Sequence, residues 1–142
     1  ITPIGKNVKE NWESILNKKC GIDEITLINT ENFKTKLAGE VKNYNFEDYF
    51  DFKTAKRLDR CSQFAIIAAR EAFKDSGITE ENTDFDRVGI FVSSGIGGLI
   101  TIQEQCETLV NKGGKRVSPM FIPMSIVNMP SRKYIYRFRI KR

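Results

Sequence analysis

Val88-Gly89-Ile90-Phe91-Val92-Ser93-Ser94-Gly95-Ile96-Gly97-Gly98-Leu99 is the stretch that decides the fold. Val88 to Val92 is a short apolar, β-branched run that reads as a buried strand over 88–93. Ser94 to Gly98 then forms a tight glycine turn. Beyond it Leu99, Ile102, Cys106, Leu109 and Val110 recur at helical spacing, and Gly113-Gly114 closes the helix. A strand that turns directly into an amphipathic helix, repeated along a chain, implies an α/β layered fold.

Working outward, Asp51 is suited to cap a long helix over 52–75 that puts Leu58, Cys61, Ala65, Ala68, Ala69 and Ala72 on one face. Past Cys61 this segment is apolar nearly all round, which predicts a position between other layers. Gly77 ends it, and an acidic loop over 79–86 leads to the strand. Nearer the start, Val8, Trp12, Ile15 and Leu16 predict a helix near 8–19, capped by Asn7 and stopped by Gly21. Residues 33–41 predict a strand, and a short apolar helix is expected around 124–129. From Tyr134 apolar and basic residues alternate as in a half-buried strand.

The chain has 142 residues, 40% hydrophobic and 29% charged, an ordinary globular composition rather than a disordered one. No apolar run approaches the ~20 residues that span a bilayer, and the first residues show no signal peptide. Of its 23 lysines and arginines, six (Arg132, Lys133, Arg137, Arg139, Lys141, Arg142) lie in 130–142 with no acid among them. That leaves 17 basic against 18 acidic groups over 1–129, so the formal charge of +5 belongs to the tail. Cys20, Cys61 and Cys106 are odd in number and far apart, which predicts free, buried thiols in a reducing compartment.

Several chemistries are disfavoured. A dinucleotide fingerprint beginning at Gly95 would need glycine where Ile100 stands, and no G-K-[ST] exists for a phosphate loop. The glycines serve either close approach of two backbones or the lining of a substrate site. Metal ligands are not clustered, and no cofactor is expected. The chain has no histidine, so neither a Cys-His nor a Ser-His nucleophile can be built from it. Lys53, Lys56 and Arg57, with Lys115 and Arg116, are either solvated surface or a docking patch for an acidic partner.

Four segments together resemble one family. They are Thr2-Pro3-Ile4-Gly5, Phe33-Lys34-Thr35-Lys36-Leu37-Ala38-Gly39-Glu40-Val41, Ser94-Gly95-Ile96-Gly97-Gly98 and Val117-Ser118-Pro119-Met120-Phe121-Ile122-Pro123. They are similar, in order over residues 1 to about 129, to the N-terminal part of the β-ketoacyl-acyl-carrier-protein synthase II family of elongating condensing enzymes. The resemblance implies the N-terminal part of a thiolase-like layered α/β fold, incomplete here, that works as a homodimer in the intact enzyme. It implies an acyltransferase of fatty acid synthesis that condenses acyl and malonyl groups with loss of carbon dioxide.

The family's nucleophilic cysteine, two histidines and lysine come later than this sequence reaches, so the chain alone is expected to be inactive, with no catalytic residue of its own. Ile96 matches the residue gating the acyl pocket and Phe121 the one reaching across the dimer. Lys53, Lys56, Arg57, Lys115 and Arg116 match the surface that docks the acidic acyl carrier protein. The compartment implied is the cytoplasm or a plastid-type organelle.

The family's first strand would precede Ile1. Residues 130–142 depart from its small residues and glycines, so the expected division is a partial synthase domain over 1–129 and a diverged basic tail. Such a chain should expose apolar surface on the 52–75 helix and associate. Two other classes fit the same residues: a non-catalytic module that binds a synthase subunit or carrier protein, and a nucleic-acid binder acting through the basic tail. The near-neutral body disfavours the nucleic-acid reading.

Overall fold

A computed structural model describes residues 1–128. The chain divides into two compact units, one over Ile1–Asn45 and one from Phe46 onward.

In the first unit, helix α1 spans Val8–Leu16. Asn7 caps it by accepting from the Glu10 amide at 2.8 Å, and the Glu10 carboxylate reaches back to the Lys6 amide at 2.8 Å. This reciprocal arrangement satisfies N–H groups that have no partner in the helix itself. The helix stops at Asn17 because Lys18 turns left-handed (φ 55°), earlier than Gly21. Strands β1 (Asp23–Glu24) and β2 (Leu37–Ala38) pair antiparallel, Asp23 opposite Ala38. The strand expected over 33–41 shrinks to these two residues because Glu40 replaces ladder partners with its side chain. Its carboxylate accepts from the Thr26 and Leu27 amides at 2.9 and 3.0 Å.

The second unit begins with a 3-10 turn, Phe46–Asp48, against which α2 (Phe52–Ala55) packs. The long helix expected over 52–75 is broken: α2 ends, the chain extends at Asp59 (ψ 154°), and α3 runs Arg60–Ser76. Two aspartates cause the break by capping twice. Asp51 accepts from the Thr54 amide at 2.9 Å and Asp59 from that of Cys61 at 2.9 Å. The Gln63 amide then donates to the Ala55 and Leu58 carbonyls, satisfying the end of α2. Phe50, Ala55, Leu58, Ile66 and Ile67 form the buried apolar core. Ala68 and Ala72, expected between layers, are exposed. The Arg70 guanidinium lies 4.8 Å from the Phe50 ring and donates to the Tyr49 carbonyl at 3.0 Å.

Gly77, left-handed at φ 68°, ends α3 as the sequence predicts. Residues 88–93, expected as a strand, belong to none of the strands among the described residues, and Phe91 is 98% exposed. Helix α4 spans Leu99–Lys112 and closes at Gly113 as predicted, but its buried residue is Thr101, while Leu99 and Leu109 of the expected face are more than half exposed. The last helix among the described residues, α5, spans Phe121–Ser125, starting earlier than 124. The strand expected from Tyr134 and the basic tail lie outside the described residues.

Candidate functional site

The glycine turn is where the second unit brings its candidate residues together. Gly97 sits at φ 87°, and a Cβ there would overlap the Ser125 carbonyl oxygen. At Gly98 a Cβ would come within 2.7 Å of the Met124 carbonyl oxygen and 2.9 Å of the Asp59 carboxylate. The Gly98 amide donates to the Ser125 carbonyl at 2.9 Å. Of the two roles open to these glycines, close approach of backbones is therefore realised at both positions.

Ile96 lies in this turn, 63% exposed. Phe121 opens α5, half-buried, its amide bonded to the Ser118 carbonyl at 3.0 Å. The Gly98–Ser125 hydrogen bond joins the segments that carry them. Ser118 is itself held on α4, because its amide donates to the Gln105 side chain at 2.7 Å.

Beneath the turn lies a polar knot that the sequence did not disclose. Asp59 is 5% exposed and Thr101 4%. One carboxylate oxygen caps α3; the other accepts from the Thr101 amide at 3.0 Å and its hydroxyl at 2.7 Å. One buried anion thus serves the N-termini of two helices, where N–H dipoles stabilise negative charge. The preference of Asp for cap positions is the signal that could have found it on α3. Its partner 42 residues away left no local trace. The same knot explains why the turn is a poor phosphate cradle: the Gly98 and Thr101 amides are already spent on Ser125 and Asp59.

The five basic residues are exposed and fall on different elements. Lys53 lies on α2, with Lys56 and Arg57 in the bend behind it; the Lys56 ammonium sits 5.9 Å from the Phe52 ring. Lys115 and Arg116 belong to the 3-10 turn Gly114–Arg116 that packs on α4.

All three cysteines are free, as expected, but Cys20 and Cys106 are exposed rather than buried. Burial, and then neighbouring Asp59, pushes the Cys61 thiol above its usual range, the reverse of an activated nucleophile. Among the described residues no group of three or more His, Cys, Asp or Glu is placed to hold a metal, and no helix is long and apolar enough to cross a membrane.

This architecture has known counterparts. The chain is 48% identical over 129 residues to the 3-oxoacyl-[acyl-carrier-protein] synthase 2 of Staphylococcus aureus strain N315, covering 91% of this chain and 31% of that one. The Vibrio cholerae protein of the same name is 38% identical over the same length. The chain therefore spans about a third of the length of these relatives. Among solved structures, the ishigamide ketosynthase/chain length factor superposes with a TM-score of 0.84 at 24% identity, over 99% of this chain and 35% of that one. A type II polyketide ketosynthase, solved in complex with its acyl carrier protein, superposes with a TM-score of 0.78 at 19% identity, over 99% of this chain and 38% of that one. These likenesses bear out the thiolase-like layered fold, of which this chain carries a part. The family model described as "Beta-ketoacyl synthase, N-terminal domain" matches residues 1–141, and the chain belongs to that family.

Proposed function

We propose that this domain supplies part of the acyl-pocket wall and a carrier-protein landing surface to a 3-oxoacyl-[acyl-carrier-protein] synthase that elongates fatty acids. The reaction joins an acyl group to a malonyl group on the acyl carrier protein, with loss of carbon dioxide. Ile96 and Phe121 border the acyl chain, Phe121 reaching toward the partner subunit of a homodimer. The nucleophile and the groups that stabilise developing charge come from the remainder of the enzyme, and no cofactor is required. The observation that carries this reading is the Gly98–Ser125 backbone contact, which brings the turn bearing Ile96 against the helix that begins at Phe121.

Lys53, Lys56, Arg57, Lys115 and Arg116 form the docking surface. Exposed cations of this kind steer an acidic partner and raise its association rate, an effect that salt screens. The solved ketosynthase in complex with its acyl carrier protein supports that choice of partner. The test is binding of acyl carrier protein to this chain at low and high salt, with Lys56→Glu/Arg57→Glu beside the parent. Affinity should fall on the order of tenfold in the charge-reversed variant, mainly through the association rate. Unchanged affinity at low salt rejects the docking surface. Turnover of malonyl carrier protein by the purified 142-residue chain alone would reject the division of labour.

A further inference from the structure

The Asp59 carboxylate is unusual in what it joins. It is buried, it serves two helix N-termini far apart in sequence, and it touches the place where the glycine turn enters α4. We propose that Asp59 is a positioning residue for Ile96: by tying the first turn of α4 to α3 it fixes where the Ser94–Gly98 turn presents that side chain, and so tunes the acyl-chain length admitted. The proposal rests on the reading above that Ile96 borders the acyl chain.

The geometry runs in three links. Thr101 is held through both its amide and its hydroxyl by one carboxylate oxygen, which restrains the first turn of α4 against rotation about its axis. The Ile102 amide donates to the Gly98 carbonyl at 3.0 Å, so the restraint passes directly into the turn. The turn's other anchor is the Gly98–Ser125 bond, and a Cβ at Gly98 would strike both Met124 and Asp59. Only glycine lets the chain lie against both anchors at once. Ile96 itself is mostly exposed, so contacts of its own side chain fix it less than these two anchors do.

Thr101→Val removes the hydroxyl donor at nearly constant shape and leaves the α3 cap intact, whereas Thr101→Ser restores the donor. Asp59→Asn leaves one acceptor oxygen for three donors. In this chain, amide hydrogen exchange at Gly98 and Ile102 should accelerate on the order of tenfold to a hundredfold in Thr101→Val and Asp59→Asn. Exchange at Ile66 and Ile67 should stay unchanged in Thr101→Val, and Thr101→Ser should match the parent. If Asp59→Asn fails to fold, the valine and serine pair still decides.

The same substitutions, with Ile96→Ala, are then placed in the Staphylococcus aureus relative carrying this domain over the matched 129 residues. The ratio of kcat/KM for short against long acyl primers is the readout. Thr101→Val should shift the ratio at least threefold in the direction of Ile96→Ala, and serine should restore it. If Ile96→Ala shifts the ratio but Thr101→Val does not, or if Gly98 exchange is unmoved, positioning by Asp59 is wrong and the acyl-pocket reading survives. If Ile96→Ala itself leaves the ratio unchanged, the acyl-pocket reading fails and takes the tuning role with it, even where Gly98 exchange accelerates.

Discussion

Replacing Gly97 with alanine should do far more damage than the addition of one methyl group suggests. Two costs combine. The left-handed backbone (φ 87°) costs an L-residue ~1–2 kcal/mol. The new Cβ would also overlap the Ser125 carbonyl oxygen, so the turn must move away from α5. That movement forfeits the 2.9 Å Gly98–Ser125 hydrogen bond, about 0.5–1.5 kcal/mol net. Repacking around the displaced segment adds about 1–3 kcal/mol. The expected loss is thus roughly 3–6 kcal/mol.

Gly77→Ala supplies the control. Gly77 is also left-handed, at φ 68°, but nothing lies within 4 Å of where its Cβ would stand. It should lose only the backbone cost of about 1–2 kcal/mol. Urea denaturation followed by far-ultraviolet circular dichroism measures both. The single tryptophan, Trp12, lies in the first unit and reports that unit separately. If the two variants agree within about 1 kcal/mol, the carbonyl contact is not what requires glycine at 97.

Asn7→Ala removes the cap of α1 and should cost about 0.5–2 kcal/mol, read from Trp12 fluorescence in urea. Loss below about 0.3 kcal/mol would mean that Glu10 alone sustains the helix start. Acid should loosen the first unit. Hydrogen bonding to the Lys6 amide holds Glu10 below its ordinary value, and the bond from Lys42 does the same for Asp23. For Glu40, desolvation is opposed and outweighed by hydrogen bonds from Leu27 and Thr26. Groups lowered in the folded state contribute fully above their unfolded values and lose that contribution as pH falls through the folded ones. Trp12 fluorescence should therefore change only as pH falls from the ordinary carboxylate range downward; a transition near neutral pH would contradict this. Iodoacetamide should label exposed Cys20 and Cys106 before Cys61, whose thiol is held protonated by burial and Asp59; mass spectrometry of partially labelled chain shows the order. Exposed Phe91, Trp12 and Leu16 should make the chain associate with rising concentration in sedimentation velocity, and a compact monomer throughout would oppose that.

The sequence alone determined what depends on near neighbours. Helix α4 and its glycine stop, the caps at Asn7 and Asp51, and the end of α3 at Gly77 all follow from spacing and backbone preference within a few residues. The order of four segments was enough to place the chain in its family. The absence of histidine excludes imidazole chemistry from this chain's own residues.

What the sequence left undecided, or suggested wrongly, depended on residues far along the chain. Residues 88–93 have the composition of a strand, but a strand is made by pairing with a distant segment, which composition does not specify, and they join neither strand among the described residues. The 52–75 segment reads as one helix until the Asp59 carboxylate is seen to serve Cys61 on one side and Thr101 on the other, which requires extended backbone at 59. Periodicity marked the apolar face of α4, yet the residue that the fold buries there is a threonine bonded to that carboxylate. Tertiary structure alone decided which buried polar groups meet, because an unpartnered one is costly and its partner can come from anywhere in the chain.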